Sequence, residues 1–148
     1  MTNTRELSET NRLVGTWKLK SFETRTSDGS VLYPWGRETV GYIIVSPDGY
    51  FCAAIMGASR KRFPSQDMKG GSLEERASAA ESYISYCGPY EIKKDKFRVK
   101  VEISLFPNWV GGYQERYYKI DGRTLSVSTT PTLVGGKEVV GYLIFERV

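Results

Sequence analysis

Apolar and polar residues alternate along most of this chain, in segments separated by turn-forming residues. Period-two alternation sends successive side chains to opposite faces, so each segment predicts a half-buried β-strand. The first covers residues 17–26, with Trp17, Leu19 and Ser21 on one face and Lys18, Lys20 and Phe22 on the other. Segments 39–46 and 50–56 flank Pro47-Asp48-Gly49 and predict a hairpin, because proline presets φ and glycine accepts a positive one. Segments 90–94 and 96–106 meet at Lys94-Asp95. In the second, Phe97, Val99, Val101, Ile103 and Leu105 face one way, and Lys96, Arg98, Lys100, Glu102 and Ser104 the other. Segments 113–120 and 123–130 meet at Asp121-Gly122, and 137–148 is the last strand. About eight strands, mostly on short turns, predict an all-β fold: an antiparallel up-and-down barrel with one inserted helix.

The insertion breaks the alternation. Residues 57–71 form a polar loop with a basic cluster, Arg60-Lys61-Arg62. Ser72 and Glu75 then form a capping box, and Ala77, Ala80, Ile84 and Cys87 fall on one helical stripe that Gly88-Pro89 ends. This helix either packs on the barrel wall or covers its open mouth, with Tyr83 or Tyr86 turned toward a ligand. Residues 31–36 contain Pro34 and predict an edge or a mouth loop. Residues 1–12 predict a tail with a short helical turn, which leaves 13–148 as the single domain.

Leu13-Val14-Gly15-Thr16-Trp17 predicts the closed end of the barrel. An indole at a strand start can plug the barrel, and a glycine two residues earlier lets the backbone bend there. Burying about 200 Å² of Trp contributes roughly 4–6 kcal/mol as an upper bound. Arg147, near the other terminus, is placed to lie over the ring.

Composition narrows the chemistry. The 148 residues include no histidine, which removes Ser-His-Asp hydrolysis, His-paired cysteine catalysis, His-based zinc sites and proximal-His haem. No cofactor and no metal site is implied. The two cysteines, Cys52 and Cys87, lack metal or redox spacing and are expected as reduced, largely buried thiols of a cytoplasmic protein. No apolar run reaches the length of a membrane span, and residues 1–12 carry no secretory signal. The net charge of +4 is spread along the chain, and no aromatic platform shares the basic face of 96–106, so nucleic acid is not an expected partner. A homodimer is left open.

The Gly15-x-Trp17 start, Tyr33-Pro34-Trp35-Gly36, Gly41-Tyr42, Pro47-Asp48-Gly49, residues 104–111 with Phe106-Pro107-Asn108-Trp109, and the terminal Phe145-Glu146-Arg147 together resemble the small bacterial and fungal lipocalin-like domain proteins of the calycin type. The resemblance covers about residues 12–148. It implies a barrel with an interior pocket for a small, largely hydrophobic molecule, and no defined reaction. Some barrel relatives in natural-product pathways act as cyclases or isomerases.

A pocket would be lined by inward strand positions and mouth loops. The candidates are Tyr42, Tyr50, Met56, Tyr83, Tyr90, Trp109, Arg116 and Tyr118. Phenols offer apolar area plus one hydrogen bond, and Arg116 is either a partner for Glu102 or an anion anchor. Each is equally readable as packing or surface. For catalysis the candidates are Glu102 and Tyr90. Glu102 faces outward by alternation, and only a bulge would turn it inward as an acid or base of raised pKa. Two functions stay in view: a binder of a small hydrophobic molecule, and a metal-free cyclase or isomerase of a polyketide- or terpenoid-type intermediate using Tyr and Glu.

Overall fold

The computed structural model describes residues 12–148, so all of the expected N-terminal helical turn but Arg12 lies outside it. The strands are β1 (Gly15–Thr26), β2 (Val31–Leu32), β3 (Thr39–Val45), β4 (Tyr50–Gly57), β5 (Tyr83–Lys93), β6 (Lys96–Lys100), β7 (Ile103–Ser104), β8 (Tyr113–Asp121), β9 (Thr124–Thr129), β10 (Thr132–Val134) and β11 (Lys137–Arg147). One helix, α1 (Leu73–Glu81), lies between β4 and β5. Neighbouring strands run antiparallel in the order β1, β3, β4, β5, β6, β8, β9, β11, and β11 pairs back onto β1. That closes a ring of eight strands; β2, β7 and β10 attach to it.

Inward positions build a continuous core in which Trp17, Phe51, Phe97, Leu125 and Phe145 are almost wholly buried. Two bulges adjust the alternation read from the sequence. The register of β1 against β11 shifts between Leu19 and Ser21, so Phe22 and Thr24 turn inward although Phe22 shares a sequence face with Lys18. The second bulge lies between β6 and β7. Val99 sits opposite Tyr90, but Ile103 sits opposite Cys87, which leaves one extra residue on the β6–β7 side. The inward row therefore stops at Val101, and Ile103 and Leu105 are exposed. Gly88 permits this crossing, since a Cβ there would meet the Lys100 carbonyl oxygen at 1.8 Å. The residue expected to stop a helix instead makes room for a bulge.

The helix is shorter than its apolar stripe suggests. Its capping box forms as expected, with Ser72 accepting from the Glu75 amide at 3.1 Å and Glu75 accepting from the Ser72 amide at 2.9 Å. It ends at Glu81, and the β-prone run Tyr83-Ile84-Ser85-Tyr86 pairs with β4 instead. None of its residues is buried. Its last turn is held from outside: Trp35 Nε1 donates to the Glu81 carbonyl at 2.9 Å, and Arg60 Nη2 to that of Ala79 at 3.0 Å.

The cysteines also depart from expectation. Cys52 and Cys87 stand directly opposite on β4 and β5, on the outer face, and form a disulfide. Cys52 is exposed rather than buried. Spacing could not reveal this, because the pair meets only through the β4–β5 register. The bond removes the cysteine argument for a reducing cytosol.

Candidate functional site

The two ends of the ring differ in their connections. At one end β3–β4, β5–β6 and β8–β9 are joined by short turns. Leu13 and Trp17 fill the barrel there, both fully buried, and Trp17 Nε1 donates to the Leu13 carbonyl at 2.9 Å. Arg147 lies 4.0 Å over the indole, as its place in the sequence suggested, and its Nη1 donates to the Val14 carbonyl at 2.8 Å. Gly15 has φ +138°, and a Cβ there would come within 2.5 Å of Arg147 Nη1. The glycine therefore serves both the bend and the arginine.

All the long connections, 27–38, 58–82, 101–112 and 130–136, gather at the opposite end. Inside that end lies a cavity of about 120 Å³. Its apolar wall includes Phe22, Ile55, Ile84, Val127, Val139 and Leu143. Tyr86 and Trp109 add aromatic surface, with ring centroids 5.7 Å apart and edge-on. The polar contribution is Thr24, Thr129, Thr132 and Arg116, with no carboxylate among the described lining residues. Outside, an apolar groove of about 280 Å³ runs along Tyr83, Leu105 and Phe106. Ile84 and Trp109 line both spaces and so form the partition between them.

Of the pocket-lining candidates singled out by sequence, the structure brings Trp109 and Arg116 to this cavity, and with them Tyr86, which the sequence had turned toward a ligand from a helix. Tyr42 and Tyr50 project from the outer face and are exposed. Met56 is half-buried on β4, its Sδ accepting from Arg60 Nη1 at 3.6 Å. Tyr83 lines the outer groove under the Arg60 guanidinium, 5.3 Å from its ring centroid. Tyr118 packs on Phe97 within the core at 5.5 Å. Tyr90 lies on β5 toward the short-turn end; its hydroxyl is enclosed without a hydrogen-bond partner, and burial pushes its pKa up. Glu102 is exposed, as alternation had it, with its amide donating to the Cys87 carbonyl at 2.9 Å. Neither catalytic candidate reaches the cavity.

Sequence reasoning missed Ile84 and Thr129 as lining residues, and it turned Tyr86 toward a ligand only as part of a helix over the mouth. For Tyr86 and Ile84 a signal existed: Ile84, Tyr86 and Gly88 alternate inward once β5 starts at Tyr83, but the helical reading of that stretch concealed it. No residue of the helix lines the cavity wall, and Tyr83 and Tyr86, which the sequence placed on it, lie on β5.

A closed eight-stranded antiparallel barrel, plugged at one end and hollow at the other, defines the calycin class of β-barrels. A family model described as a lipocalin-like domain matches residues 14–148, and the chain belongs to that family. It is 30% identical over 105 residues to the 4'-hydroxy-3'-methoxypropiophenone carrier protein ppsC of Aspergillus oryzae (strain ATCC 42149 / RIB 40), a match spanning 65% of this chain and 95% of that protein. Two crystal structures align over most of it. One is of an uncharacterized protein from Bacteroides eggerthii DSM 20697, with 17% identity, 91% of this chain and 98% of that chain covered, and a TM-score of 0.45. The other is of a lipocalin-like protein from Bacteroides uniformis ATCC 8492, with 14% identity, 92% and 98% covered, and a TM-score of 0.46.

Proposed function

We propose that the protein binds one small, largely hydrophobic molecule in the hollow end of its barrel and does not transform it. The observation that carries this reading is the lining of the cavity: among the described residues it has apolar and aromatic walls, a few hydroxyls, one guanidinium and no carboxylate. The volume of about 120 Å³ is that of a single ring; an engineered cavity of about 150 Å³ takes up benzene. A longer ligand extends past Ile84 and Trp109 into the outer groove. The Aspergillus relative is a carrier of a one-ring phenolic ketone with a short apolar tail, which fits this division of space. The cyclase or isomerase reading has less support, since Glu102 is exposed and Tyr90 lies outside the cavity lining.

The test uses 4'-hydroxy-3'-methoxypropiophenone as the first probe. Titration should quench tryptophan fluorescence, because Trp109 lines the site, and calorimetry should give one molecule per chain. Mass spectrometry should return the probe unchanged. Absence of saturable binding removes the interior site, and protein-dependent conversion of the probe replaces the binder with an enzyme.

Two further proposals accompany this reading. The cytoplasmic setting is tested by thiol trapping before lysis: free Cys52 and Cys87 support it, and a bonded pair argues for an oxidising compartment. A homodimer would pair the exposed outer row of Val40, Tyr42 and Ile44 on β3, and a single species of 16.7 kDa in sedimentation removes it.

A further inference from the structure

Arg116 is the feature that an apolar binding site does not explain. It lies on β8 opposite Phe97 of β6 and Thr129 of β9; Phe97 is buried in the core, and Arg116 and Thr129 line the cavity. Only 7% of it is exposed. Its Nη1 donates to the Glu115 carbonyl at 2.9 Å and its Nη2 to Gln114 Oε1 at 3.1 Å. The guanidinium carbon lies 5.3 Å from the Tyr86 ring centroid. All of these partners are neutral, and no carboxylate within the described residues forms an ion pair with Arg116. Glu115, its neighbour, points to the opposite face, where Lys96 and Arg98 engage it.

A guanidinium carries five N–H donors and a fixed positive charge, and burying it without a counter-charge is costly. Two donors are used here, and the group lines the cavity. A ligand oxygen bearing negative charge would offset the buried charge and accept the unused donors in the planar, two-pronged geometry that suits arginine. Thr129, directly opposite in the ladder, lines the same part of the wall, although its hydroxyl already accepts from the Gly141 amide at 2.8 Å. The aromatic and aliphatic groups, Tyr86, Trp109, Ile84 and Leu143, surround the space on which the guanidinium borders.

We infer that the cavity selects a one-ring organic anion, a carboxylate or acidic phenolate, whose charged oxygen pairs with Arg116 while its ring lies against Tyr86 and Trp109. This rests on interior binding as proposed above and adds the charge class of the ligand. The experiment compares benzoate with benzamide, which has nearly the same shape and no charge, by calorimetry at low ionic strength. 4-Nitrophenolate provides the phenolate arm. The wild-type chain should bind benzoate, 4-nitrophenolate or both at least tenfold more tightly than benzamide. In Arg116→Gln that preference should fall to within about threefold, and Arg116→Lys should retain part of it. Circular dichroism checks the fold of each variant, and the wild-type comparison stands even where a variant does not fold. Benzamide binding as tight as the anions, or an Arg116→Gln chain that keeps the preference, overturns the anion selection and leaves interior binding intact. Failure of benzoate, 4-nitrophenolate, benzamide and 4'-hydroxy-3'-methoxypropiophenone alike to bind overturns both.

Discussion

The plugged end of the barrel and the hollow end are built from the same eight strands, yet they spend their side chains differently. At the plugged end every large group meets another: Trp17 is covered by Leu13 below and Arg147 above, and the guanidinium has two backbone carbonyls as acceptors. At the hollow end Trp109 is half-buried on a short 3-10 turn, and Arg116 reaches only neutral partners. Close packing without voids gives stability, whereas a cavity gives up contacts on one side of every lining atom. The fold therefore concentrates its close packing where the turns are short, with the Tyr90 hydroxyl as an unpartnered exception, and leaves a cavity bordered by a cation where the loops are long.

Substitutions at the two ends should separate stability from binding. Trp17→Ala should cost about 3–5 kcal/mol in denaturant unfolding, the range for emptying a buried aromatic site. A loss below about 1 kcal/mol would mean that the indole does not plug the barrel. Trp109→Ala, with the ring only half-buried, should cost about 1–2 kcal/mol but change ligand affinity tenfold or more, since it removes the partition between cavity and groove. Equal stability losses at Trp17 and Trp109 would erase the contrast between the ends.

The outer wall supplies a middle case. Arg98 Nε lies 2.9 Å from a Glu91 carboxylate oxygen, as an ion pair without hydrogen-bond alignment, and its guanidinium sits 3.8 Å over the Tyr113 ring. Arg98→Glu removes both contacts and sets a third carboxylate beside Glu91 and Glu115, for a loss of about 1–2 kcal/mol. Lys100→Glu, on the same row but exposed and without an ion pair among the described residues, should change stability by less than about 0.5 kcal/mol. On alternation alone the two substitutions look equivalent; the difference between them measures how much the strand neighbours contribute.

Tyr90 gives a pH signature toward the plugged end. Burial raises its pKa, so the folded chain keeps the phenol proton at pH values where the unfolded chain has lost it. Stability should therefore fall as pH rises past the ordinary value of 10.0. Tyr90→Phe should flatten that slope and be neutral or stabilising by up to about 1 kcal/mol near neutral pH, because it deletes an enclosed hydroxyl with no partner. A large destabilisation would reveal a hydrogen bond that the structure lacks.

Much of this architecture was legible in the chain. The hairpins at Pro47-Asp48-Gly49 and Asp121-Gly122, the Ser72–Glu75 cap and the inward row Phe97-Val99-Val101 all follow from local pattern, because turn chemistry and period-two burial act over a few residues. The site was less legible. Tyr42 and Tyr50 carry the same aromatic signal as Tyr86, and only strand pairing decides which of them face inward. A bulge of one residue reverses every later position, and neither the one at Leu19–Ser21 nor the one opposite Gly88 has a distinctive residue on the bulged strand.

By itself the sequence determined a closed lipocalin-like barrel whose Gly15-x-Trp17 end is the plug, since those demands are local and strongly patterned. Tertiary structure alone decided that Cys52 meets Cys87, that the stretch after Ser82 is strand and not helix, and that Arg116 lines the cavity with no counter-charge among the described residues. Each depends on which strands lie side by side and in what register, and that is settled by pairing across the ring, far beyond the reach of neighbouring residues.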